Sequence, residues 1–89
     1  MPYRIEYQTS ARGELGRLLR RVRRRVRTVV DALGTNPRPA AALWMWGEWE
    51  GHWRLRVGEY RIVYVIDDRR RRVIVVRVGH RSDVYQGGP

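Results

Sequence analysis

The sequence predicts an α+β domain: a small antiparallel sheet in the order β-α-α-β-β-β, with a helical hairpin packed on one of its faces. Three observations predict it. Residues 3–7 alternate apolar and polar with period two, apolar residues from Leu15 to Leu33 recur at helical spacing, and three β-branched and aromatic runs follow one another from Trp53 onward. At 89 residues the chain has room for one domain, 1–89, with a single modest core, because a domain this small buries only about 60 to 65% of the surface its unfolded chain exposes.

The stretch YRIEY reads as a short strand with one face buried. Leu15, Leu18, Leu19, Val22, Val26, Val29, Val30 and Leu33 then fall on one helical stripe, with Thr9 or Ser10 as the N-cap and Gly34, Asn36 and Pro37 as the stop. Gly13 and Gly16 weaken a single long helix, so two shorter ones are expected, broken near residues 19–21. After the loop NPRPAAA, strands are expected over residues 53–57, 60–66 and 73–78. Gly58-Glu59 and Asp67-Asp68 punctuate them as consecutive antiparallel hairpins. Helices on one face leave the other face of the sheet open.

Charge narrows the function. All 19 Lys+Arg residues are arginine, against 9 Asp+Glu, for a net charge of +10. A guanidinium is a planar fork of donors suited to phosphate oxygens and base edges, so the excess indicates a polyanionic partner: nucleic acid, or an acidic protein that masks the charge. The arginines of residues 20–27 and the tip Arg69 to Arg72 are either solvated or in contact with RNA phosphates. The absence of cysteine excludes a disulfide scaffold and a thiolate metal site, and two isolated histidines make a poor ligand set; no metal and no cofactor are expected. The N-terminus has no apolar signal core and no stretch approaches the roughly 18 to 20 apolar residues of a membrane span, so a cytoplasmic protein without membrane association is expected.

Within VGEYRIVYVID, Arg61 stands between Tyr60 and Ile62 in a run otherwise fit for a core. Arginine keeps its charge at any ordinary pH, so it must reach water, a carboxylate or an anionic ligand. If Tyr60, Ile62 and Tyr64 pack under the helices, period two sends Arg61 to the open face. Arg54 and Arg56 alternate with Trp53, Leu55 and Val57 and share one side of their own strand, where they suit flanking phosphates.

The strings NPRP, WRLRVGEYRIVYVID and VIVVRVGHRSDVY, in that order behind a helical hairpin, resemble the RelE/ParE superfamily of toxins from bacterial toxin-antitoxin pairs. The match spans nearly the whole chain, and the VGHR-x-x-VY ending is closer to the RelE side. That resemblance implies the RelE-like toxin fold and a translation inhibitor that cleaves mRNA in the ribosomal A site without metal. It also implies a cognate antitoxin whose acidic, partly disordered segment wraps the toxin in a hetero-oligomer. Carried over position by position, it implies Arg61 as transition-state stabiliser, Arg81 as acid or phosphate clamp and Tyr85 as base, with Arg54 and Arg56 binding RNA; His80 is, from its own chemistry, a candidate for RNA binding by base stacking or for proton transfer. Two alternatives stay open: a ParE-like inhibitor of DNA gyrase without nuclease chemistry, and a basic protein with a worn site that only binds. Structural roles also stay open, Arg61 pairing with Glu59 or Asp83 and Tyr85 packing. The segment LWMWGEWEGHW departs from the family pattern; Trp53 is expected in the core, and Trp44, Trp46 and Trp49 in the core or against an antitoxin.

Overall fold

The computed structural model describes residues 2–89. Its elements are β1 (Arg4–Tyr7), α1 (Thr9–Gly16), α2 (Arg20–Ala32), β2 (Leu43–Trp44), a 3-10 turn (Gly47–Trp49), β3 (Trp53–Val57), β4 (Tyr60–Asp67) and β5 (Arg72–His80). The five strands form one sheet in the order β1-β5-β4-β3-β2. The α+β class and the helical pair agree with the sequence reading, but the sheet is mixed, because β1 runs parallel to β5. Two tight hairpins make β3 and β5 run the same way. The helical crossover returns the chain so that β1 shares that direction, and no local sequence signal encodes its pairing.

The two-residue turn between β3 and β4 has Gly58 at φ 59°, a left-handed conformation that glycine adopts without steric penalty. Gln8 caps α1 in place of Thr9 or Ser10, and no side chain bonds the helix start. The break between helices falls at residues 17–19, just before the expected position. Gly34 ends the helical layer where β1 passes close: a Cβ there would lie 3.0 Å from the Tyr3 carbonyl oxygen, and the Tyr3 amide donates to the Gly34 oxygen at 2.7 Å.

Ala11, Leu15, Val26, Val30 and Leu33 of the helical layer close over Leu55, Val57, Ile62, Tyr64, Val73, Val75 and Val78. The buried Tyr64 hydroxyl is satisfied by the Pro37 carbonyl at 2.8 Å, which also anchors the loop after α2. The opposite face was expected to be open, and part of it is covered. Trp49, Val63 and Val84 form a second cluster, flanked by Met45, Val76 and Tyr85.

A β-bulge separates the two halves of β5. Val75 lies opposite Tyr64 and Arg77 opposite Val63, so Val76 has no Cα partner on β4. Strict alternation from Val75 would send Arg77 toward the helices. The extra residue puts it on the far face and returns Val78 to the main core.

Candidate nucleic-acid interface

Arg61 stands directly opposite Arg56, and Arg54 opposite Val63, on the face turned away from the helices. Leu43 of the short edge strand pairs with Arg54. Together Ala41, Leu43, Arg54, Arg56 and Arg61 line an open depression of about 270 Å³. Arg54 and Arg56 are exposed and Arg61 is half-buried. None of the three has a carboxylate partner among the described residues; the one side-chain hydrogen bond of Arg61 is Nη1 to the Tyr60 carbonyl oxygen at 3.3 Å. Like charges directly opposite one another weaken a strand pair. Three uncompensated guanidinium groups in one concavity make a receptor for an anion with several oxygens.

The carboxylates that form ion pairs among the described residues, Glu6, Glu59, Asp67 and Asp68, do so elsewhere. Glu59, expected as a possible partner of Arg61, instead pairs with Arg81, Oε2 to Nε at 2.9 Å, while the Arg81 amide donates to the Glu59 carbonyl at 2.9 Å. Both side chains are more than half exposed, so solvent screens this pair and it contributes little to stability. The arginine tip, read from sequence as a solvated or RNA-contacting run, is largely an ion network. Arg72 bonds Glu6 at 3.3 Å and Asp67 at 3.1 Å, Arg70 bonds Asp67 at 3.3 Å, and the Arg38 fork meets Asp68 at 2.8 and 3.2 Å. Tyr3 donates to Asp68 at 2.5 Å. The Arg38 and Tyr3 hydrogen bonds hold the Asp68 carboxyl down at about 2.

Tyr85 and His80 lie outside the arginine depression. Tyr85 packs edge-on against Trp49 with ring centroids 5.7 Å apart, and its hydroxyl is buried without a hydrogen-bond partner. His80 bonds Ser82 through Nδ1 at 2.8 Å and meets Tyr60 edge-on at 5.6 Å. Trp49 is core, as is much of Trp53, whereas Trp46 is 75% exposed and Trp44 38% exposed. Trp46, Trp44 and Trp53 form a line of edge-to-face contacts at 6.0 and 5.4 Å that ends under the Arg38 guanidinium. Sequence reasoning missed Arg77, although the signal was the one that singled out Arg61: an arginine inside an apolar strand.

The family model described as the ParE toxin of the type II toxin-antitoxin system, parDE, matches residues 2–85. This chain belongs to the RelE/ParE family of type II toxin-antitoxin toxins. Among curated relatives, toxin RelG of Mycobacterium tuberculosis is 35% identical over 97% of this chain and 99% of its own length. Toxin RelE of the same organism is 32% identical over 99% of this chain and 91% of its own. The toxin-antitoxin complex RelBE2 from Mycobacterium tuberculosis superposes with a TM-score of 0.82 at 32% identity, covering 91% of this chain and all of the matched one. A free Escherichia coli RelE mutant shares the fold at a TM-score of 0.77 and 23% identity, over 93% of this chain and 88% of its own. The RelE-like toxin architecture expected from the sequence is therefore the one observed.

Proposed function

We propose that this toxin is a ribosome-dependent endoribonuclease that cleaves mRNA in the A site by metal-independent attack of a ribose 2′-hydroxyl on the adjacent phosphate. The observation that carries the reading is the depression of Arg54, Arg56 and Arg61, in which no carboxylate competes with phosphate. In that reaction the 2′-oxygen bonds phosphorus as its proton leaves to a base, charge builds on the phosphorane oxygens, and the 5′-oxygen departs with a proton from an acid. Arg61, central and half-buried, stabilises the phosphorane, where its fixed positive charge counts for more than in bulk water. Arg54 and Arg56 hold flanking phosphates. Arg81 acts as a phosphate clamp, since a guanidinium holds its protons too tightly to serve readily as an acid. Tyr85 is assigned as the base; its hydroxyl is committed to no protein group, and RNA docking must uncover it.

The partner in the cell is a cognate antitoxin with an acidic segment that folds over the cationic surface. Charge complementarity to the +10 chain supports this reading, as does the antitoxin bound to the toxin in the RelBE2 complex. The gyrase-inhibitor alternative is favoured by one observation, that the matching family model is the one described for ParE.

The test is to add the purified toxin to translating ribosomes and map transcript 5′ ends. Cleavage at A-site codons is expected, with Arg61→Ala slower by on the order of a hundredfold to a thousandfold, the usual consequence of losing one preorganised donor. Intact transcripts together with double-strand breaks in gyrase-bound DNA would replace the nuclease reading with the gyrase one.

A further inference from the structure

Beside Arg54, Arg56 and Arg61, the face turned away from the helices carries Arg77, whose chemistry the nuclease reading does not use. Arg77 reaches that face because of the bulge at Val76. From there Nη1 donates to the carbonyl oxygens of Val84 at 3.1 Å and Gln86 at 2.8 Å, and Nη2 donates to that of Gly88. Its guanidinium also lies 5.4 Å from the centroid of the Trp49 ring, the ring against which Tyr85 packs. No carboxylate among the described residues pairs with it. Residues 81–89 form no helix or strand, and their internal bonds are single turns, such as Gln86 to Asp83 at 3.0 Å and Gly88 to Tyr85 at 3.3 Å. Such turns persist only where something outside the segment holds them. Val84 lies against the strand at Gly79, which stands opposite Arg61 in the sheet.

The bulge is itself fixed from the helical side. The Val78 amide, two residues beyond the unpaired Val76, donates to Oε1 of Glu14 in α1 at 2.9 Å. Helix, bulge, Arg77 and C-terminal segment are thus joined in series, and among the described residues the two side chains of that segment proposed for chemistry, Arg81 and Tyr85, make no other long-range polar contact than the exposed pair of Arg81 with Glu59.

We infer that Arg77 is a positioning residue: its guanidinium clamps residues 81–88 onto the sheet and thereby sets the places of Arg81 and Tyr85. The clamp stands on geometry alone, while its consequence for cleavage rests on the nuclease reading. Amide hydrogen exchange separates the two. In Arg77→Ala, exchange at residues 83–88 should speed up by tenfold or more, on the order expected when several charge-assisted hydrogen bonds are lost, with β4 and β5 keeping their protection. With ribosomes, kcat should fall by roughly a hundredfold, as misplacement of reacting groups does, while KM stays within about twofold because Arg54, Arg56 and Arg61 still hold the backbone. Arg77→Lys keeps the charge over Trp49 without the fork and should restore exchange protection and kcat only in part.

Unchanged exchange at residues 83–88 in Arg77→Ala would overturn the clamp. A defect confined to KM and fully rescued by lysine would overturn it too, making Arg77 an RNA contact instead. Should the alanine variant fail to fold, Arg77→Lys carries the decision on the same two readouts. Failure of the unmodified protein to cut message would remove the nuclease reading, and the exchange comparison would still decide the clamp.

Discussion

Arg56→Gln tests the idea that the arginine depression is assembled for an anion at the expense of the fold. Arg56 and Arg61 are directly opposed on adjacent antiparallel strands, which puts their Cβ atoms about 5 Å apart. Two unit charges at roughly 7 Å repel by about 0.6 kcal/mol at the dielectric of water and about 2.4 kcal/mol at an effective value of 20. Arg56 is exposed and Arg61 half-buried, so both heads can splay into solvent and the lower figure governs. Glutamine retains most of the aliphatic stem and the strand register while removing the charge. The variant should therefore be more stable by about 0.5 kcal/mol, or about 2 to 4 °C in Tm for a domain of this size.

Salt distinguishes electrostatics from packing in that gain. The Debye length shortens from about 30 Å at 0.01 M to about 3 Å at 1 M, so the advantage of the glutamine should be nearly whole at the low end and almost gone at the high end. Urea melts at both ionic strengths read it directly. Phosphate should raise the stability of the unmodified protein more than that of the variant, because a bound anion stabilises the state that binds it. A stabilisation that persists unchanged at 1 M salt, or a destabilised variant, would refute the opposed-charge account of the site.

Removal of the Tyr85 hydroxyl separates chemistry from packing: Tyr85→Phe should leave stability unchanged or raise it by up to about 1 kcal/mol, since a buried group without a partner is deleted. If Tyr85 is the base, single-turnover cleavage of ribosome-bound message should collapse in the same variant. Acid titration tests the Asp68 network. Its carboxyl is depressed from 3.8 to about 2 in the fold, so its stabilising contribution is complete above the unfolded value and is lost as pH falls from about 4 through about 2. Thermal melts across that window should flatten in Asp68→Asn. Trp46→Ala should change stability by less than about 0.5 kcal/mol, because the side chain is mostly in solvent. If the tryptophan line seats the antitoxin, the same change should weaken antitoxin binding by about 2 kcal/mol, roughly thirtyfold, in calorimetry.

Local periodicity was enough to read β3, β4, both helices and the face on which Arg61 stands, because each follows from contacts a few residues apart. The sides of Arg54 and Arg56 followed in the same way. What escaped was set by long-range partners. The parallel pairing of β1 with β5 joins residues some 68 positions apart, Arg4 with Arg72 and Ile5 with Val73, and no turn signal reports it. The bulge at Val76 reverses the facing of every residue after it, so alternation counted from Val73 assigns Arg77 to the wrong side. Trp49 read as one member of an aromatic loop, but it seals part of the sheet because the C-terminal segment folds back to meet it. Tyr85 carried a role from family resemblance alone, and the fold adds that its hydroxyl is covered and unpaired.

The distribution of the few acidic residues explains how so cationic a chain can both fold and present a receptor. At one end of the sheet, Glu6, Asp67 and Asp68 tie β1, the loop after α2 and the β4–β5 hairpin together by pairing with Arg4, Arg38, Arg70 and Arg72. Arginine there does structural work, joining segments distant in sequence by forked hydrogen bonds. At the β3–β4 end, Glu59 is paired to Arg81 beyond the last strand, which leaves Arg54, Arg56 and Arg61 uncompensated. Arg56 also lines a second depression with Arg24 and Arg25 of α2, so unpaired positive charge continues around the edge of the sheet onto the helical layer. Repulsion is thus concentrated where a polyanion can relieve it and offset by ion pairs where the chain must close. If the proposed function holds, an acidic antitoxin segment and RNA should compete: either one would neutralise the same edge, and occupancy by one would withdraw the charge that attracts the other.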